Sequence, residues 1–365
     1  MLMLMVKYFV YCPFVILAVL LVAFVFRCVS GRRARFLWTA GFIFCCSRYI
    51  VGRWFFGSAF YPEWPQVLHW FWCWAFAGTF FLSVLSVLTW CWRGRAKVWL
   101  LPILAWSIAA IGLWNGVKLP EVRELELRYP DLPAELDGYR IVQLSDLHVS
   151  AAARRGRTQA LVDRTNALGA DLICLTGDYV DGLPKTRLED IAPLVGLRAK
   201  DGVWYVPGNH EYYFDWSAWQ ETYRQLGMKF LCNACVFPRP QLALGGATDT
   251  AAGRPGENHG ELPDVRKAFA AATNDEFRVL LQHQPRWALE NIREFGVRLQ
   301  LSGHTHGGIM PMLMPIVRAH NQGFLSGLYE LGGGKLYVHP GAGQWAGFQL
   351  RYFDPAEIVV ITLRK

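Results

Sequence analysis

Residues 118–365 lack any excess of positive charge: 27 Lys or Arg stand against 28 Asp or Glu, a balance of −1. A nucleic-acid face on this part would need that excess, so no nucleic-acid partner is expected. Residues 1–117 lack acid instead. Glu63 is their one carboxylate beside ten basic residues, and the basic pI of the chain belongs here, where the basic residues flank apolar runs. The nine cysteines supply no zinc-finger pattern. Cys232 and Cys235 form a Cys-Asn-Ala-Cys pair with no second pair of ligands at matching spacing, which argues against structural zinc. Outside the cytoplasm the pair would suit a short-loop disulfide, and inside it two free thiols. No small-x-small cleavage site follows residue 26 before the Arg cluster, so residues 1–30 read as an uncleaved helix, not a signal peptide. No internal repeat and no low-complexity run is present.

What the first third does have is apolar length. Residues 8–26, 67–92 and 98–117 each approach or exceed the roughly 20 residues of a spanning helix. A further run, 36–60, is interrupted by Arg48 and Arg53. An Arg at the bilayer centre costs about 2.5–3.5 kcal/mol, so the preferred reading is a tilted helix with Arg53 near one surface. The other reading is a phosphate-holding Arg within the membrane part. Residues 1–117 are thus expected to form a membrane domain of about four transmembrane helices. Arg27, Arg32, Arg33 and Arg35 fill the first loop and Arg93, Arg95 and Lys97 the third, while the second holds only Glu63. The positive-inside rule then turns both the N-terminus and the C-terminal part to the extracytoplasmic (periplasmic) side, provided the Arg48 run crosses.

Residues 118–137 read as a linker and lead-in segment, broken by Pro120, Pro130 and Pro133. From 138 to 365, strand and helix patterns alternate. Strands are expected at 139–145, 171–176, 203–206, 229–231, 241–246, 277–282, 297–302, 335–339, 347–352 and 357–363, and helices at 157–169 and 186–199. The predicted fold is an N-terminal α-helical membrane domain followed by an α/β domain of two packed β-sheets flanked by helices. Thr248 to Pro263 reads as a mobile loop.

Five motifs stand at the ends of these strands: Asp146-Leu147-His148, Gly177-Asp178, Gly208-Asn209-His210-Glu211, His283, and Gly303-His304-Thr305-His306. They offer carboxylate, amide and imidazole donors and no thiolate, the set that hard or borderline divalent ions take. His304 and His306 lie two apart, so an extended segment points both to one side. His283 alone would read as a core histidine, and its place in Leu-Leu-Gln-His-Gln-Pro makes it a ligand candidate. Glu211 reads equally as a brace behind the ligands or as a capping acid. His339, beside Pro340 and Gly341, carries no motif.

The runs Ser-Asp-Leu-His (145–148), Thr-Gly-Asp (176–178), Pro-Gly-Asn-His-Glu (207–211), Leu-Leu-Gln-His-Gln-Pro (280–285) and Ser-Gly-His-Thr-His-Gly-Gly (302–308) resemble the calcineurin-like metallophosphoesterase family, in its bacterial membrane-associated branch. The resemblance covers about residues 138–364. It implies that Asp146, His148 and His306 hold one metal, that Asn209, His283 and His304 hold a second, and that Asp178 bridges both. It implies two divalent ions (manganese, iron or zinc), a metal-bound hydroxide attacking phosphorus, and His210 contacting the phosphoryl group and serving the leaving group. The expected activity is hydrolysis of phosphate esters, with membrane lipids, lipid-linked molecules or envelope phosphates favoured by location. A protein phosphatase and a non-catalytic metal-dependent scaffold or sensor are the alternatives. Ile309 to Val317 reads either as an apolar lip, with Met312 and Leu313 meeting acyl chains, or as an ordinary buried loop.

Overall fold

A computed structural model describes residues 19–89, 97–253, 260–273, 275–310 and 313–365. The chain divides into a helical unit that runs to Asn115 and includes Gly347–Leu350, and a second unit of Gly116–Ala346 with Arg351–Lys365.

The helical unit contains α1 (Val19–Cys28), α2 (Arg32–Cys46), α3 (Arg48–Phe56), α4 (Gln66–Leu88) and α5 (Lys97–Val117). Gln66–Leu88 and Val98–Val117 are long and apolar enough to cross a membrane. Most of the expected 8–26 span lies outside the described residues. The Arg48 run is helical but broken at Ser47 into pieces of 15 and 9 residues, each short of the roughly 20 a span needs. Arg53 is exposed and donates to the Gly57 carbonyl at 3.2 Å. Arg48 is buried, and both its Nη1 and the Tyr49 hydroxyl donate to the Gly347 carbonyl at 3.0 Å. The α4–α5 crossing is close because Gly78 carries no side chain: a Cβ there would lie 2.5 Å from the Trp106 indole nitrogen.

The second unit is built on two six-stranded sheets. The first has the order β1 (Glu121–Arg128), β12 (Glu357–Arg364), β2 (Arg140–Leu144), β3 (Leu172–Thr176), β4 (Val203–Val206), β5 (Lys229–Phe230). The second runs β10 (Gly327–Glu330), β11 (Lys335–Val338), β9 (Val297–Ser302), β8 (Phe277–Leu281), β7 (Leu242–Gly246), β6 (Ala234–Arg239). β2 to β5 are parallel, as are β7, β8, β9 and β11, while β12 runs antiparallel to β2 and parallel to β1.

Strand alternation decides what packs where. Ile141, Leu172, Cys174, Val359 and Ile361 face Leu244, Val279, Leu281, Leu299 and Leu301 across the space between the sheets. Val142, Leu144, Ile173 and Leu175 point the other way, under α6 (Arg155–Asn166), α7 (Pro184–Ile191) and α9 (Trp216–Gln225). The outer face of the second sheet is covered by α10 (Val265–Ala268) and α11 (Ala288–Phe295). Central strands buried on both faces read as continuous apolar runs, which is why they are legible in the sequence.

Two stretches differ from expectation. The segment 118–137 contains β1, which pairs along its whole length with β12. Residues 347–352 form no strand, because Arg351 draws the surrounding backbone into an irregular turn: its guanidinium donates to the carbonyls of Pro340, Gly343 and Asp354 at 2.9 Å. β6 and β10 are further strands beyond those expected.

Candidate metal centre

The parallel strands end on one side of the two sheets, and the loops after them carry the motif residues. β2 leads to Asp146 and His148, β3 to Asp178, and β4 to Asn209 and His210 at the start of α8 (Asn209–Tyr213). β8 leads to His283 and β9 to His304 and His306. Five of these residues adopt the left-handed conformation: Asp146 (φ 53°), His148 (47°), Asp178 (56°), His304 (73°) and His306 (50°). Each such non-glycine residue costs on the order of 1–3 kcal/mol, which the surrounding packing must over-determine. The neighbouring glycines serve two needs. Gly177 has φ 93°, whereas Gly303 is required for closeness, since a Cβ there would fall 2.0 Å from Ser145 Oγ and 2.3 Å from Asp146 Oδ2.

Asp146, His148 and His306 bring ligand atoms within 4.8 Å of one another, and so do Asp178, His283 and His304. In the first group the two imidazole Nε2 atoms are 2.9 Å apart, and His306 Nε2 lies 3.4 Å from Asp146 Oδ1. In the second, His304 Nδ1 lies 3.3 Å from His283 Nε2. Asp178 Oδ2 reaches towards both, 3.2 Å from His283 Nε2 and 3.9 Å from His148 Nε2. His210 Nε2 lies 3.8 Å from the same oxygen. Asn209 is buried and its side-chain oxygen has no hydrogen-bond donor. All eight residues that the sequence singled out (Asp146, His148, Asp178, Asn209, His210, His283, His304 and His306) lie in this one set of loops.

The residues behind them fix their tautomers. His283 Nδ1 is 2.6 Å from the Thr176 carbonyl, so that nitrogen carries the proton and Nε2 is left for the centre. Asp181 Oδ1 accepts from His148 Nδ1 at 2.9 Å and from His210 Nδ1 at 2.6 Å, directing both Nε2 atoms inward. Glu211 is buried and accepts from the backbone N–H groups of Gly208, Asp178 and Tyr179, so it braces two ligand loops together. Asp249 is buried and holds the Gln284 amide at 2.9 Å, next to His283. Asp181, Asp249 and Arg351 escaped the sequence reading. Asp181 has a visible signal, a second carboxylate three residues after Asp178. His339 is buried and accepts from the Gly341 N–H, a packing role. Cys232 and Cys235 are free thiols.

The electrostatics describe a shortage of positive charge. Burial pushes Asp146 up, helped by the Asp178 charge against the pull of His283. Burial also pushes Asp178 up, but His283 and His210 outweigh it and hold it well below the usual carboxylate range. Burial opposes a proton on His283, yet Asp178, Asp146 and Asp249 drive it well above its ordinary value. Burial holds His304 down to about 3. Asp146, Asp178, Asp181 and Asp249 are all buried here with imidazoles as their nearest cationic partners. Divalent cations fit this demand, and the undonated Asn209 oxygen and the paired imidazole nitrogens are the donors they take.

The family model of calcineurin-like phosphoesterases matches residues 139–308. An uncharacterized metallophosphoesterase of Campylobacter jejuni is 34% identical over 254 residues, covering 68% of this chain and 65% of its own. A transmembrane protein with metallophosphoesterase domain from Danio rerio is 32% identical over 273 residues, covering 72% of this chain and 62% of its own. The matches thus span less than two thirds of either relative. The metallophosphoesterase YkuE of Bacillus subtilis is 30% identical over 254 residues, covering 67% of this chain and 85% of its own. The motif order, the donor clusters and these matches agree, and the chain belongs to the calcineurin-like metallophosphoesterase family.

Proposed function

We propose that the chain is a membrane-anchored hydrolase of phosphate esters with a two-metal centre. Asp146, His148 and His306 would hold one ion, Asn209, His283 and His304 the other, and Asp178 would bridge them. Manganese, iron and zinc all suit the donor set. The observation that carries this reading is the reach of Asp178 Oδ2 towards an imidazole of each group, 3.2 Å to His283 and 3.9 Å to His148. The two long apolar helices, together with relatives named transmembrane proteins in Danio rerio and Bos taurus, support membrane association. The loop charges place the catalytic side outside the cytoplasm if the Arg48 run, broken at Ser47 into two short helices, crosses as a fourth span.

Divalent ions bound here supply Lewis acidity that draws charge from the phosphoryl oxygens and lowers the pKa of water. The protein's own part is orientation and proton transfer. Water attacks phosphorus opposite the leaving oxygen: its O–P bond forms as the ester P–O bond breaks, one of its protons stays on the phosphate product and the other restores the one that His210 gives up. His210, aligned by Asp181, faces the centre through Nε2 and delivers the proton that the leaving alkoxide needs. The loops exclude bulk water, since Asp146, His148, Asp178 and His283 are all buried.

The test is full-length protein in detergent, supplied with manganese or zinc and given both a bacterial lipid extract and a soluble chromogenic phosphoester. Phosphate or headgroup release should be abolished by chelator and by Asp178→Asn. Hydrolysis that survives both treatments would remove this assignment.

A further inference from the structure

Beside the centre lies a surface that hydrolysis of a soluble ester does not require. α12 (Met314–His320) buries none of its residues, and Ile316 is 55% exposed. A helix on a water-facing domain ordinarily hides one apolar face. α12 is nonetheless fixed to the ligand turn, because Met314 Cγ lies 2.7 Å from where a Cβ on Gly308 would stand. Phe353 is 64% exposed, and its neighbour Asp354 closes under Gly307 and accepts from Ser326 Oγ at 2.6 Å. Trp287, 37% exposed and four residues past His283, is clipped to the end of α12 by its N–H bond to Gln322 Oε1 at 2.7 Å. Three segments distant in sequence therefore each carry an exposed apolar side chain on backbone tied to the turns of His283, His304 and His306.

The charge on α12 and its flanks is basic, and the carboxylate beside Phe353, Asp354, is half-buried against Ser326. Residues 303–329 contain no Asp or Glu and do contain Arg318 and His320. Arg286, directly before Trp287, is half-buried, and its guanidinium makes no hydrogen bond or ion pair among the described residues. Along the chain, only residues 118–120 separate the last apolar helix, ending at Val117, from β1.

We propose that Trp287, Ile316 and Phe353, with Arg286 and Arg318, form a rim that seats the acyl chains and negative charge of an anionic lipid phosphoester whose headgroup enters the metal centre. The proposal rests on the hydrolase reading and names its substrate class. It widens the lip expected at Ile309 to Val317, of which Met312 lies outside the described residues. Apolar exposure beside Arg286 and Arg318 matches an amphiphile that is itself anionic. The reaction needs only water: with phosphatidic acid, the glycerol C–O–P linkage breaks at P–O to give diacylglycerol and phosphate.

Two measurements on the full chain test this. In the first, manganese-loaded protein in nonionic detergent is given dioleoyl and dihexanoyl forms of phosphatidic acid and of phosphatidylglycerol, so that bond and headgroup stay constant while the tail changes. The long-to-short preference in kcat/KM should fall by about ten-fold or more in the double variant Ile316→Asp/Phe353→Asp. Val195→Asp, an exposed apolar position outside the rim, should leave the preference alone. In the second, amide hydrogen exchange of residues 313–329 is followed in nanodiscs of phosphatidylcholine with and without phosphatidylglycerol. Exchange should slow by about ten-fold with the anionic lipid, and the double variant should lose that protection. An unchanged preference with equal exchange in both nanodiscs overturns the rim and points to a protein partner for this face. Protection without hydrolysis of any ester keeps the rim as a lipid-docking surface and removes the hydrolase reading instead.

Discussion

Asp181 shows how one carboxylate can set two imidazoles at once, since its Oδ1 lies within hydrogen-bond distance of both His148 and His210. Asp181→Asn keeps the shape but weakens both bonds, and activity should fall about 10–100-fold, with metal content measured in parallel. Unchanged turnover would show that the two rings are held by packing alone. The residues that face the centre were legible because each sits in a short motif at a strand end, three of the five motifs opening on a glycine (Gly177, Gly208 and Gly303). Asp181 and Asp249 were not, because what they hold lies 29 to 35 residues away in sequence, and Arg351 was not, because its own stretch reads as a strand and hides the local turn whose carbonyls it gathers. The left-handed conformation of Asp146, His148, Asp178, His304 and His306 has no sequence signature either, since none is glycine. Strain concentrated on candidate ligands is what a preorganised site requires.

At the level of elements, the site depends on strands from two sheets ending on the same side. β2, β3 and β4 supply one wall and β8 and β9 the other, so sliding of either sheet would separate Asp178 from His283. The contacts that prevent sliding are those between the sheets. Leu127 of β1 is 1% exposed within that layer. Leu127→Ala should cost about 2–5 kcal/mol, read as a lower melting temperature of the detergent-solubilised protein. A change below about 0.5 kcal/mol would mean that β1 is peripheral to the core. The alternation of Glu-Val-Arg-Glu-Leu-Glu-Leu-Arg in β1 was open to view, but the prolines around it pointed to a linker. Apolar runs such as Leu-Ile-Cys-Leu gave the central strands because burial on both faces leaves no polar position in them. β6 and β10, partly exposed edge strands with weaker patterns, did not stand out.

For the whole molecule, the proposed extracytoplasmic placement of the second unit rests on loop charge and on the Arg48 run crossing. A periplasm-dependent reporter enzyme fused at Lys365 should be active, and a cytoplasm-dependent one silent; the reverse pattern would place the centre with the cytoplasmic phosphate pool. The uneven charge of the chain was plain in the sequence, whereas the break at Ser47 and the burial of Arg48 against Gly347 were not, because they need a contact across roughly 300 residues. The position of β12 has a consequence for biosynthesis. Among the described residues, β12 is inserted between β1 and β2, and in the sheet β1 pairs only with it. A ribosome still translating residue 350 therefore holds β1 without a neighbour and β2 with one edge bare. The helices can enter the membrane early, but the second unit can close only after Glu357–Arg364 emerges, so a chain stalled or truncated before β12 should be handed to chaperones or proteases with every candidate metal ligand already made.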